Sequence, residues 1–147
     1  MGGVLGALAL LAALSPWLLY ELGLSRFDAM PARPAQLVTA EQQAWVWALA
    51  RGTGEPKIEP MNPYEYVILF FTHDVLAPHP RELMTAWVAS DHNLKQPRTG
   101  MGWWHLSDAA LTIWLTRHWT TEEIASAAYA IAAKWPTRKP RPVSPAS

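Results

Sequence analysis

Residues 2–20 read GGVLGALALLAALSPWLLY, contain no charged side chain and decide the architecture of this chain. About 20 apolar residues in a helix are needed to cross the roughly 30 Å hydrocarbon core of a bilayer. Trp17 and Tyr20 stand at the C-terminal end of the stretch, where aromatic rings favour the headgroup level, and Glu21 follows. The pattern predicts a single transmembrane helix over residues 1–24, with membrane lipid as its surroundings.

A cleaved secretory signal and a buried core helix are the competing interpretations of this stretch. No Lys or Arg precedes the apolar run, although a signal peptide begins with a basic region. The small residues Ala13 and Ser15 are followed at once by Pro16, which disfavours cleavage there. The sequence therefore favours an uncleaved anchor.

Membrane orientation is weakly specified by charge. Arg26 and Arg33 on the C-terminal flank compete with only the α-amino group on the other side. The charge count alone leans toward a cytoplasmic domain.

Composition limits what lies beyond the anchor. The 147 residues are 50% hydrophobic and 16% charged, which leaves room for one small domain. Twelve Lys and Arg balance twelve Asp and Glu, so no net field favours nucleic acid as a partner. The absence of Cys excludes disulfides and thiolate chemistry. Nine Trp indicate a protein that lies close to a bilayer.

Prolines and changes in composition divide the rest of the chain into a linker, a helical domain and a tail. Residues 25–38 contain two prolines and little periodicity, as a linker along the membrane surface would. Residues 39–135 carry the signals of successive helices. Residues 136–147 have four prolines, basic charge and no acid, which predicts a disordered tail.

The first helices of the domain have clear start signals. Thr39 with Gln42 forms a capping-box pattern, and the helix that it opens should stop at Arg51-Gly52. Asn62-Pro63 opens the next helix, predicted over residues 63–76. Its run YVILFF is apolar and β-branched enough that a buried strand remains the alternative.

The second half of the domain is predicted as one short helix, a loop and two longer helices. RELMTAWVAS gives the short helix and the polar stretch DHNLKQPRTGMG (residues 91–102) the loop. Ser107 with Asp108, and then Thr120 with Glu123, each cap an apolar run. The fold class is therefore all-α: one N-terminal transmembrane helix plus a small helical domain.

Local sequence patterns indicate no metal site and no catalytic residues. The five histidines, which are His73, His79, His92, His105 and His118, lack a metal-ligand spacing, so no metal and no cofactor is predicted. Capping and the helix dipole account for Glu122-Glu123. The pair Trp103-Trp104 is better explained as two rings that pack a loop into the core or the bilayer interface than as a surface that binds a ligand.

The stretch HLSDAALTIWLTRHWTTEEIASAAY (residues 105–129) resembles, without a gap, the late motif of the biosynthetic peptidoglycan transglycosylases, the lysozyme-like glycosyltransferase family 51. In that motif a basic-x-x-Glu start leads through an Ala/Leu-rich helix to E-R-x-aromatic-S/T-K-x-E-I-L. His105 takes the basic position, Asp108 the acidic one, Arg117 and Trp119 the Arg and aromatic, and Glu123-Ile124 the Glu-Ile pair. The match covers about a sixth of the chain.

Upstream, AWVASDHNL (residues 86–94) is similar to the segment with the family's catalytic I-A-x-E-D-x-x-F motif. Ser90 stands at the position of the catalytic Glu and Asp91 at that of the next Asp. The loop G-G-S-T-I-T-Q-Q and the second catalytic Glu have no counterpart here. The resemblance implies a lysozyme-like scaffold, a lipid-linked saccharide ligand and a periplasmic domain, against the charge count.

Two functions follow as expectations. The first is a bilayer-anchored, transglycosylase-like protein of the bacterial inner membrane, degenerate or accessory, acting near lipid-linked peptidoglycan precursor. Asp91 would serve as base, Asp108 as a structural or substrate-orienting acid, and Arg117 and His105 would bind substrate, with Arg117 on a pyrophosphate. The alternative is a non-enzymatic subunit that packs against other inner-membrane envelope proteins.

Overall fold

The computed structural model describes residues 2–71 and 78–135, and within these ranges the chain is entirely helical between its loops, with no strand. The six helices are α1 Gly2–Leu24, α2 Ala40–Leu49, α3 Pro63–Phe71, α4 Pro80–Leu94, α5 Met101–His118 and α6 Thr121–Ala132. The predicted all-α class is confirmed. The described part of the predicted helix 63–76 is α3, so the strand alternative for its first residues is wrong.

Helix α1 is long and apolar enough to cross a membrane over Gly3–Leu24, and 11% of its most apolar window is buried against the rest of the chain. This confirms the coarse prediction of one candidate span at the N-terminus. Pro16 lies inside the helix without ending it. Toward its C-terminal end α1 packs against α5, so the candidate anchor belongs partly to the helical domain.

Gly23 allows α1 and α5 to approach closely. A Cβ atom at Gly23 would lie 2.6 Å from the Ala110 Cβ and 2.7 Å from the Leu106 carbonyl oxygen, closer than real atoms pack. At the other end of the contact, the Arg117 guanidinium lies over the Trp17 ring, 5.4 Å from its centroid. The two helices are therefore antiparallel, since residue numbers rise along α1 as they fall along α5.

The main core lies where α4, α5, α6 and α2 meet. Helix α4 packs against both α5 and α6, and α2 closes the other side of α6. The fully buried large side chains at this junction are Val46, Met84, Leu111, Leu115 and Ile124. A second, smaller cluster of Tyr20, Met61, Ala110 and Ile113 joins α1 to α5.

The two capping boxes that the sequence predicts at Thr39 and Thr120 are confirmed. The Thr39 hydroxyl accepts from the Gln42 N–H at 3.3 Å, and the Gln42 side chain accepts from the Thr39 N–H at 3.0 Å. Thr120 and Glu123 make the same reciprocal pair at 3.2 and 2.8 Å. These caps satisfy backbone donors that have no partner within the helix.

The predicted loop over residues 91–102 is wrong at both ends. Helix α4 continues to Leu94 and α5 begins at Met101, which leaves a loop of residues 95–100. The predicted cap at Ser107-Asp108 is wrong for the same reason. Ser107 is buried inside α5 and its hydroxyl donates to the Trp103 carbonyl at 2.7 Å, one turn back.

The linker over residues 25–38 packs against the domain. Phe27 is buried in the main core, and the Val38 N–H donates to the Ser126 hydroxyl at 3.0 Å. Arg33 donates to both carboxylate oxygens of Glu123 at 2.8 and 2.7 Å. The predicted disordered tail, residues 136–147, lies outside the described residues.

Candidate functional site

Polar side chains gather where α3, α4 and α5 meet. Ser90 of α4 donates a hydrogen bond to the Asp108 carboxylate of α5 at 2.9 Å. Asn93, one turn further along α4, is buried, and its amide donates to the Trp104 carbonyl at 3.1 Å. We call Tyr66, Glu82, Ser90, Asn93 and Asp108 the carboxylate cluster.

Burial raises the pKa of Asp108 above its ordinary value, because the charged form loses solvation. Hydrogen bonds from Ser90 and Asn93 and the nearby His105 favour the charged form and oppose this effect. Desolvation is the largest contribution, so the net shift is upward. A carboxyl group in this state can accept or release a proton closer to neutral pH than an exposed Asp can.

Tyr66 links the two carboxylates of the cluster electrostatically. Burial, together with the charges of Asp108 and Glu82, raises the pKa of the Tyr66 phenol to about 12. Both carboxylates therefore lie near one phenol, although they come from different helices. The phenol stays protonated at neutral pH and keeps its hydrogen-bond donor.

Glu82 completes the capping box at the start of α4 and is also buried. The residue is 8% exposed, and its Oε2 accepts from the His79 N–H at 3.2 Å. Its Oε1 is buried without a hydrogen bond. The Arg81 Nε is 3.8 Å from that oxygen, while the Arg81 Nη2 donates to Glu65 at 2.9 Å. A buried acceptor without a donor is costly for folding and calls for another explanation.

An apolar crevice adjoins the carboxylate cluster on the side of α1. It encloses about 80 Å³ between α1, α3 and α5. Tyr66 belongs both to the crevice wall and to the cluster, and Leu19, Tyr20, Leu106 and Ile113 are among the other lining residues. The carboxylates are thus separated from the candidate membrane helix by a narrow apolar space.

Asp91 lies elsewhere. It lines an open groove of about 670 Å³ between the linker and helices α4 and α6, and Asp108 is not among the residues of that groove. The Asp91 carboxylate is 2.6 Å from the Lys95 ammonium group, one turn along α4. The structure therefore does not bring Asp91 and Asp108 into one cavity.

The two predicted substrate-binding residues, His105 and Arg117, also lie in different places. His105 lies one turn before Asp108 on α5, and its electrostatic interaction with Asp108 lowers the pKa of that carboxyl group. Arg117 donates to the Met61 carbonyl at 3.2 Å and stacks over Trp17. Nine residues separate Asp108 from Arg117, which is about 14 Å and half a turn around a helix. Of the two, only His105 belongs near the cluster.

No three His, Asp or Glu side chains within residues 2–71 and 78–135 come together as metal ligands would. His73, one of the five histidines considered above, lies outside these ranges. The arrangement that is described offers carboxylates, a phenol and a hydroxyl. Such groups bind hydroxyl-rich ligands and move protons.

Sequence reasoning missed Glu82 and Tyr66. Glu82 stands three residues after His79, at the place where an acid caps a helix, and Tyr66 lies in an apolar run. Both have an ordinary local explanation. Only the packing of α3 against α5 and its ion pair with α4 bring Tyr66 within reach of the charges of Asp108 and Glu82.

The chain matches no family model, and comparisons with curated proteins and with solved structures find no match either. The transglycosylase resemblance of residues 105–129 and the lysozyme-like scaffold that it implies stay predictions. The class to which the geometry leads is a helical domain docked on a candidate membrane helix, with a carboxylate cluster beside that contact.

Proposed function

We propose that this chain is a bilayer-anchored protein of the bacterial inner membrane that binds a lipid-linked saccharide, as a transglycosylase-like but accessory protein near peptidoglycan precursor. One observation carries the proposal: the charges of Asp108 and Glu82 both act on the Tyr66 phenol, and Tyr66 also lines the apolar crevice against α1. A lipid-linked saccharide needs this combination, since its sugar hydroxyls seek carboxylates and its lipid seeks apolar surface.

In this proposal the carboxylates bind the sugar and orient it. Asp108 accepts hydrogen bonds from sugar hydroxyls, with Ser90 holding the carboxylate in place at 2.9 Å. The Oε1 of Glu82, which accepts no hydrogen bond within the described residues, accepts another. Asp108 thus keeps its predicted orienting role, and Glu82 takes the place beside it that the sequence assigns to Asp91.

The chain is expected to bind precursor without polymerising it. Glycosyl transfer of this kind needs a base on the acceptor and groups that neutralise the departing pyrophosphate. Ser90 occupies the motif position of the catalytic Glu, and its hydroxyl donates to Asp108. Arg117, the predicted pyrophosphate ligand, lies about 14 Å along α5 from Asp108 and on the other face of the helix.

Binding and turnover can be measured on one preparation of the full chain in detergent micelles. Labelled lipid-linked disaccharide precursor should bind, and Asp108→Asn and Glu82→Gln should each weaken binding about tenfold, which corresponds to about 1.4 kcal/mol. Asp91→Asn is the matched control, because Asp91 pairs with Lys95 in the open groove. No polymer should form with any of these proteins.

Three outcomes would contradict the proposal. Absence of binding, or binding that Asp108→Asn and Glu82→Gln both leave unchanged, would remove the carboxylate cluster as the site. Equal binding of the carrier lipid phosphate without sugar would show that the saccharide is not recognised. Polymerisation by the full chain that is lost in Asp91→Asn would establish a catalytic role for Asp91 and overturn the accessory assignment.

Localisation belongs to the same proposal, with a periplasmic domain. A reporter enzyme fused after Ala133 should be active in the periplasm and silent in the cytoplasm. The reverse result would remove the proposed substrate class, because the precursor is polymerised on the outer face of the membrane.

A surface at the turn between α4 and α5 favours the alternative function, a subunit of an inner-membrane assembly. Leu94, Met101 and Trp103 are exposed by 72%, 73% and 47% at this turn. Exposed apolar side chains that lie together favour protein contacts. If this function holds, replacing Leu94 and Met101 by Glu should dissociate a membrane complex on native gels while precursor binding stays unchanged.

A further inference from the structure

The two ends of α1 have different surroundings. The twelve residues Gly3–Leu14 are all exposed, apart from a contact in which the Tyr64 hydroxyl donates to the Ala13 carbonyl. From Pro16 onward the helix packs against the domain, with Pro16, Tyr20 and Gly23 buried. The exposed end rises about 18 Å.

This length is too short for a membrane anchor that stands clear of its domain. A hydrocarbon core of about 30 Å exceeds the exposed end by about 12 Å. All 22 residues of the candidate span rise about 33 Å and suffice. If α1 crosses the bilayer, hydrocarbon must therefore extend alongside the end that is docked on α5.

We infer that the domain is seated in the bilayer, with the beginning of α3 and the neighbouring edge of α1 below the headgroups. The partner of this surface is the lipid of the bilayer that holds α1. We call this surface the seat and define it by Leu18, Leu19, Leu22 and Tyr64. The inference rests on the membrane anchoring in the proposed function and adds the depth of the domain.

The contact between Tyr64 and α1 gives the depth of α3. The candidate span extends to Leu24, where the headgroups would begin. Tyr64 contacts Ala13, eleven residues closer to the N-terminus of α1, and so lies about 16 Å deeper than that end. The first turn of α3 then falls below the headgroup level.

Side chains at the seat suit such a position. Leu18, Leu19 and Leu22 are 57%, 44% and 45% exposed although their part of α1 is docked. Glu65 is the only charged residue of α3, and it is paired with Arg81 at 2.9 Å. Arg117 lies over the Trp17 ring, and its guanidinium donates to the Met61 carbonyl at 3.2 Å.

The absence of Cys from the chain gives a direct test. Single-Cys variants Leu8→Cys, Leu22→Cys, Tyr64→Cys and Met101→Cys of the full chain would carry a nitroxide label in vesicles of phosphatidylethanolamine and phosphatidylglycerol. Collision rates with oxygen, which enriches in lipid, and with a water-soluble nickel chelate report depth. Leu8 tests the anchor, Tyr64 and Leu22 test the seat, and Met101 is the exposed aqueous control.

We expect at least a threefold preference for oxygen over nickel at Leu8, Tyr64 and Leu22 relative to Met101. A lipid signal at Leu8 with aqueous signals at both Tyr64 and Leu22 would overturn the seat and leave the anchor intact. An aqueous signal at Leu8 would overturn the anchoring itself. The Leu22→Cys variant retains the Tyr64 side chain. Its signal therefore reports depth even if Tyr64→Cys disturbs the packing of α3.

Discussion

The hydroxyl of Ser90 lies 2.9 Å from the carboxylate of Asp108 and donates to it, so that one hydrogen bond joins α4 to α5 beside Tyr66. In the transglycosylase motif the position of Ser90 carries a catalytic Glu. A Glu there would place two carboxylates against each other, whereas Ser supplies the donor that Asp108 needs.

Replacing Asp108 by Asn should stabilise the fold at neutral pH. Burial raises the Asp108 pKa in the folded chain, so the carboxyl opposes folding once pH exceeds its unfolded pKa of about 3.9. The sign follows from proton counts, since the folded state holds the proton more tightly and loses stability as pH rises. Thermal melts followed by Trp fluorescence should show a higher Tm for Asp108→Asn at pH 7 and a vanishing difference below pH about 4. A lower Tm at pH 7 would contradict this.

Adding one methyl group at Gly23 should separate α1 from α5. The new Cβ would lie 2.6 Å from the Ala110 Cβ, and overpacking of this kind costs roughly 1–3 kcal/mol. Gly6→Ala is the matched control, because nothing lies within 4 Å of a Cβ there and Ala favours helix. Chemical denaturation in detergent should show loss of stability for Gly23→Ala alone. Equal effects of both variants would show that α1 and α5 are not packed as described.

Removing the Arg33 side chain should weaken the attachment of the linker to α6, with a pH signature opposite to that of Asp108. The hydrogen bond from Arg33, and then the cap from Thr120, lower the Glu123 pKa. This contribution is present above the unfolded Glu pKa of about 4.3 and is lost as pH falls through the lower folded value. Arg33 is 55% exposed, so Arg33→Ala should cost under about 1 kcal/mol at pH 7.

Lys57→Ala provides the comparison for Arg33→Ala. Lys57 also pairs with a carboxylate, that of Glu59 at 2.7 Å, but both side chains are exposed and belong to one loop. Its loss should leave the unfolding midpoint unchanged from pH 4 to 8. If the two variants behave alike, the Arg33 pair does not hold the linker.

Deleting residues 2–14 should test the anchor without disturbing the packed end of α1. The full chain should stay with membranes through an alkaline carbonate wash, and the shortened chain should be released in larger part. A chain starting at Ser25 would also lose Tyr20 from the cluster with Ala110 and Ile113, and should aggregate. Soluble full-length protein of reduced mass would show a cleaved signal instead.

Much of the fold could be predicted because its signals are local. The uncharged run of α1 is continuous in the sequence, and the caps at Thr39 and Thr120 depend on residues within one turn of each other. The loop at residues 91–102 was mispredicted because Asp91 and Asn93 look like loop residues. In the structure Asp91 pairs with Lys95 along α4 and Asn93 bonds to α5, so both are compatible with a longer helix.

The site could be predicted only in part. Asp108 and His105 stand one turn apart on α5, a relationship that spacing alone gives. Asp91 follows Ser90 directly, and a rotation of about 100° turns it toward the groove instead of the cluster. The burial of Glu82 depends on packing between helices that are distant in sequence, for which no local pattern exists.

Because α1 is docked on α5 without room for a methyl group at Gly23, the connection between the candidate anchor and the domain is rigid. A domain on a flexible tether samples many heights and orientations above a surface, and a ligand in the membrane meets it only in some of them. If α1 spans the bilayer, one orientation is imposed. Encounter with a lipid then reduces to lateral diffusion in two dimensions at a constant height.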